Sequence, residues 1–146
     1  VTGLAVVLVV LALSTAVGLW MRRRDGVVRA VEPTARKVGQ ESISDVVMLA
    51  PADVGRSSLG ARATLVQFST AFCQPCRATR ATLSHVAESL DGVEHVEIDA
   101  ESNLELVRRL DVRRTPTTLV VDPAGRVVGR ATGVPRPDDV RAALPN

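Results

Sequence analysis

The first 21 residues, VTGLAVVLVVLALSTAVGLWM, carry no charged side chain, and the pattern changes abruptly at Arg22-Arg23-Arg24. An apolar run of this length predicts a helix able to cross a bilayer. It has no basic segment ahead of it, and Ser14-Thr15-Ala16 is a poor cleavage site, so it reads as a retained anchor rather than a cleaved signal. Residues 22–41 mix charge, Gly and Pro33 without a sustained apolar period and read as a linker. The remaining stretch, 42–146, suits one globular domain of about a hundred residues.

Within that domain Val46-Val47-Met48-Leu49 predicts a first strand, and APADVGRSSLGAR a loop or short poor helix. ATLVQFST from Ala63 is a strongly apolar strand. Leu83, Val86, Ala87 and Leu90 recur at helical spacing after Cys73, and Gly92 follows as a stop. VEHVEID from Val93 is a buried strand, and Leu104, Val107 and Leu110 share one face of a second helix. TPTTLVVD and RVVGRA flank PAGR as an antiparallel hairpin with Gly125 in its turn. PDDVRAAL starts a last helix at Pro137, with acids in its first turn. Strand, strand, helix, strand, helix, hairpin and helix in that order predict an α/β fold with a mixed central sheet flanked by helices.

Charge separates the parts. Residues 22–41 hold six basic and three acidic side chains, whereas 42–146 hold twelve Arg against thirteen Asp and Glu. The basic excess lies beside the apolar segment, so a nucleic-acid role finds no support in the domain. Because the basic residues near the helix follow it, the charge bias predicts a cytoplasmic domain, with the extracytoplasmic side as the alternative. Arg supplies seventeen of the eighteen basic residues. Together with heavy Ala, Val and Gly usage, this points to a GC-rich bacterial source.

The chain has two cysteines, Cys73 and Cys76, separated by Gln74 and Pro75. A disulfide closing so small a loop removes little chain entropy and is a poor staple. Zinc needs four ligands, and His85 and His95 follow at unsuitable spacings, so no metal is expected. A C-x-x-C between a strand and a helix reads as a redox dithiol. The helix N-terminus favours the Cys73 thiolate, and Cys76 lies one turn further on the same side. Cys73 is then the attacking thiol and Cys76 the resolving one, while Pro75 suits a first turn that needs no N–H from it.

QFSTAFCQPCRATR resembles the active-site segment of thioredoxins, and VRRTPTTLVV is similar to the family's second signature, in which a cis-proline precedes a central strand. GVEHVEIDAESNLELVRRLDV occupies the stretch between them, and the resemblance covers roughly residues 60–145. It implies a thioredoxin-like fold behind one N-terminal transmembrane helix, Cys73 as nucleophile, Cys76 as resolving cysteine and Pro116 as the cis-proline. Thr115 would offer its backbone to an extended client segment, and Gly133 matches a family glycine near that surface.

Three positions depart from the family pattern. Phe72 replaces a Trp and Gln74 replaces a Gly. Gln67 stands where thioredoxins carry a buried Asp credited with taking the resolving cysteine's proton, which an amide cannot do. His95 matches the family's buried Lys, and an imidazole near pH ~6.5 could take that proton, alone or through a water held by Gln67.

The expected activity is thiol-disulfide exchange with protein clients in the reducing direction, by a monomer without cofactor and with a separate reductase to reset the dithiol. The alternatives are an extracytoplasmic oxidoreductase of the cell envelope and a non-catalytic module that senses redox state. A peroxidase is disfavoured because the chain lacks Pro-x-x-x-Thr-x-x-Cys.

Overall fold

A computed structural model describes residues 2–24, 26–31 and 47–145. Helix α1, Thr2–Arg24, continues the apolar run three residues beyond Met21. Its large apolar side chains, Leu4 to Met21, are all exposed, and Gly3–Met21 is long and apolar enough to cross a membrane.

The domain is built on a five-stranded sheet in the order β1-β5-β4-β2-β3, formed by β1 (Arg29–Ala30), β2 (Ala63–Ser69), β3 (Val93–Asp99), β4 (Thr117–Val121) and β5 (Val127–Thr132). β2 and β3 run parallel and the other pairs antiparallel. The mixed sheet expected from the element order is present. A parallel neighbour requires a crossover, which α2 (Gln74–Glu88) supplies. Helices α3 (Leu104–Arg109) and α4 (Pro137–Ala142) complete the layers.

Every residue of β2 and of β4 is buried, as expected for strands covered on both faces. On one face Val66, Phe68, Ile98 and Leu119 pack with Leu106 and Leu110 around α3. On the other, Leu65, Val93 and Val120 pack with Leu83 and Val86 of α2 and Val140 of α4. The hairpin turn is tied by Asp122, whose Oδ1 accepts from the Ala124 and Arg126 amides at 2.9 Å each. Gly125 takes the left-handed conformation there, at φ 87°.

Two expectations change. No strand forms at Val46–Leu49: Val46 lies outside the described residues, and Met48 makes only an isolated bridge to Arg126. The first strand is instead Arg29–Ala30, inside the segment read as linker, where the edge of β5 supplies the hydrogen bonds that local sequence could not announce. The rest of that segment, residues 32–41, lies outside the described residues. The poor helix after Ala50 is a short 3-10 helix, Pro51–Val54.

Candidate active site

Cys73 is the N-cap of α2, and its Sγ accepts the Cys76 N–H at 3.2 Å. A sulfur rather than a hydroxyl thus occupies the capping position, where the unpaired amides of the first turn favour negative charge. Cys73 and Cys76 are joined by a disulfide. The two sulfurs differ in access: Cys73 is half-buried, whereas Cys76 is 3% exposed. Pro75 sits in the first turn and Gln74 opens the helix. Phe72 stands fully in solvent beside the pair.

The strand register sets what lies beneath α2. Gln67 is opposite Glu97 on β3 and opposite Thr118 on β4. Partners in register point to the same face, so Leu65, Gln67 and Ser69 share their side of the sheet with His95, Glu97 and Asp99. Gln67 is completely buried there. Its Nε2 donates to the Cys76 carbonyl at 2.9 Å, and its Oε1 lies 3.2 Å from His95 Nε2.

This arrangement assigns the histidine tautomer. A carbonyl only accepts, so Gln67 must turn its NH2 group toward Cys76 and its oxygen toward His95. His95 Nε2 therefore carries the proton and donates it. Nδ1 is left to accept from Ser84 Oγ, 3.1 Å away. Burial holds the imidazole below its ordinary pKa, the Arg80 charge adds to this, and Glu97 opposes it only in part. The ring is accordingly neutral in the tautomer that the network requires.

An open groove of about 480 Å³ borders the disulfide, lined by Thr70, Cys73, Cys76, Arg77, Arg80 and Glu97 among others. Glu97 accepts from Ser69 Oγ at 2.5 Å and pairs with Arg80, also at 2.5 Å. Burial pushes the Glu97 carboxyl up, but these hydrogen bonds and the Arg80 charge outweigh it and hold the group below the usual carboxylate range. Glu97 is thus a fixed negative charge in the groove and a weak base.

The Thr115–Pro116 peptide is cis. Thr115 Oγ1 lies 3.4 Å from Thr70 Oγ1, and the Cys73 amide donates to the Thr70 carbonyl at 3.3 Å, so the proline loop and the cysteine turn meet. Gly133, at φ 86°, donates its N–H to the Pro116 carbonyl at 2.9 Å. The fold thereby brings Phe72, Cys73, Gln74, Pro75, Cys76, Thr115, Pro116 and Gly133 to one end of the sheet, with Gln67 and His95 in the layer below.

Sequence reasoning missed Ser69, Ser84, Arg80 and Glu97. Their signal was the alternation along β3 that puts His95 and Glu97 on one face, together with the spacing of Arg80 and Ser84 along α2 toward that face. Among the described residues no group of three or more His, Cys, Asp or Glu could hold a metal ion.

A family model described as thioredoxin matches residues 45–145. No curated protein matches the chain by sequence. Among solved structures, chloroplastic thioredoxin z superposes with a TM-score of 0.51 at 27% identity, covering 56% of this chain and 74% of that one. A thioredoxin from Fasciola hepatica gives 0.50 at 25% identity over 57% and 78%. A mutant thioredoxin from Halobacterium salinarum gives 0.52 at 23% identity over 57% and 72%, a likeness of fold alone.

Proposed function

The chain belongs to the thioredoxin family, and from that premise we propose that it is a membrane-anchored thiol-disulfide oxidoreductase that reduces disulfides of protein clients. The observation that carries this reading is the capped sulfur of Cys73, half-exposed at a helix N-terminus and paired with a buried Cys76 one turn away. In the reduced protein the Cys76 amide that now faces Cys73 Sγ, with the positive end of α2, stabilises its thiolate.

The Cys73 thiolate attacks one sulfur of a client disulfide, forming a mixed disulfide and releasing the first client thiolate, which takes up a proton. Cys76 then loses its proton and attacks Cys73 Sγ. The Cys73–Cys76 disulfide forms and the second client thiolate leaves. Two electrons have passed to the client, and a separate dithiol reductant returns them.

Thr115 presents its backbone to the client strand, Pro116 and Gly133 shape that edge, and Phe72 offers it an exposed apolar ring. Gln74 and Pro75 set the surroundings of the sulfurs. Gln67 positions Cys76 through its carbonyl, and His95 orients Gln67 through Nε2–H, with its one lone pair, on Nδ1, turned to Ser84. Arg22 to Arg24, following the apolar helix, support anchoring with the domain on the cytoplasmic side.

The test is insulin reduction by the full chain in neutral detergent with dithiothreitol as electron source. Turnover lost in Cys73→Ser and Cys76→Ser supports the reading. Absence of turnover in the unaltered chain would leave a thioredoxin-fold binding module. The side of the membrane is tested with a membrane-impermeant maleimide on reduced intact cells. Labelling only after lysis supports the cytoplasmic side, and labelling of intact cells moves the chemistry to the cell envelope.

A further inference from the structure

β1 and β5 place Arg29 directly opposite Arg130 in an antiparallel pair. Opposed side chains in such a pair have Cβ atoms about 5 Å apart, and like charges there repel. Arg29 and Arg130 line one groove of about 330 Å³ with Val27, Val31, Arg114 and Thr132. Among the described residues no acidic side chain lines it.

Arg130 is anchored on one side by the chain after α3, donating from Nη1 to the Asp111 carbonyl at 3.0 Å and from Nη2 to the Leu110 carbonyl. Asp111, whose carboxylate supports the Arg130 charge, is itself bound to Arg113 Nε at 2.9 Å. Burial consequently disfavours the Arg130 charge more than Asp111 supports it. Two arginines opposed across a strand pair, one half-buried, with Thr132 lining the same groove, form a socket complementary to a tetrahedral oxyanion.

We propose that Arg29, Arg130 and Thr132 form a binding site for a phosphate-bearing anion, supplied by the headgroup of an anionic membrane lipid. The source rests on the membrane reading above, while the phosphate chemistry rests on the groove alone. α1 has 23 residues, about 35 Å of helix, against a hydrocarbon core of about 30 Å. Its basic end thus reaches the headgroup layer. Arg29 follows Arg24 by five residues, a span of at most about 18 Å, so the groove stays within reach of lipid phosphates. Binding there would neutralise the opposed pair and hold β1 on the edge of the sheet.

The test uses the full chain in neutral maltoside micelles, titrated separately with dioctanoyl phosphatidylglycerol, dioctanoyl phosphatidylcholine and inorganic phosphate. Thermal unfolding is the readout, since a ligand of the folded state raises the midpoint saturably. The expected result is a saturable rise with phosphatidylglycerol and none with phosphatidylcholine. Arg29→Gln, a change at an exposed position, should weaken it about tenfold, as loss of one charge-assisted contact does. Arg130→Gln is the second variant.

A rise with inorganic phosphate as well, lost in Arg29→Gln, supports the phosphate site and assigns it to phosphate from either source. A rise with inorganic phosphate alone overturns the lipid source. No saturable rise with either anion, or an equal rise in Arg29→Gln, overturns the site and leaves the Arg22–Arg24 cluster as the lipid contact. Binding is read without turnover, so failure here and failure of the dithiol reading are distinguishable.

Discussion

The Gln67 side chain donates to the backbone carbonyl of Cys76 at 2.9 Å from the interior of the sheet, tying Cys76 to β2. Thioredoxins, by the resemblance of this segment, carry a carboxyl group at that position. A carboxylate would meet the carbonyl with repulsion, whereas an amide satisfies both the carbonyl and His95.

Replacing Gln67 by Leu keeps the volume and removes both bonds, leaving the His95 N–H without its partner, while the Cys76 carbonyl keeps the intrahelical bond of its place in α2. The expected cost is about 1–3 kcal/mol of folding stability. Urea unfolding of oxidised Gln67→Leu beside the unaltered protein measures it, and an unchanged midpoint would remove Gln67 from the positioning role.

His95 gives stability a definite pH dependence. Its folded pKa lies below the ordinary 6.5 because it is buried, with Arg80 reinforcing and Glu97 opposing. The unfolded chain therefore takes up this proton at higher pH than the folded one. The stabilising contribution is full above about 6.5, declines as pH falls toward the folded pKa, and is constant below it. His95→Gln should flatten that limb of a stability profile between pH 7 and 5. The same variant should alter the pH profile of disulfide exchange if His95 serves the resolving step, and an unchanged profile would confine it to structure.

The two cysteines should fail differently. Cys73→Ser should abolish exchange, having no exposed nucleophile. Cys76→Ser should perform the first attack and stop, accumulating a Cys73 mixed disulfide that non-reducing mass spectrometry detects. Accumulation in Cys73→Ser instead would reverse the assignment.

Phe72 touches solvent on all sides. Phe72→Ala should leave stability within about 0.5 kcal/mol. If its ring contacts clients, the same change should raise KM for a protein disulfide severalfold with little change in kcat. Equal steady-state kinetics would make it a bystander.

Local patterns in the sequence were enough for most elements. The apolar run to Met21, the spacing of Leu83, Val86 and Leu90, and the turn at Gly125 each declare themselves within a few residues, because period and turn chemistry are short-range. β1 did not, since two residues carry no period and its hydrogen bonds come from a strand a hundred positions away. Met48 failed the other way, its apolar neighbourhood promising a strand for which the sheet supplies only a single bridge.

By itself the sequence determined the chemistry on offer: two thiols at a strand-to-helix junction, a proline ahead of a central strand, and an amide where related chains hold an acid. Only the tertiary structure decided which sulfur is covered, that Gln67 faces Cys76 with one end and His95 with the other, and that Arg29 stands against Arg130. The physical reason is that burial, tautomer and charge pairing depend on strand register. Register is set by packing between segments far apart in the chain, and no local pattern encodes it.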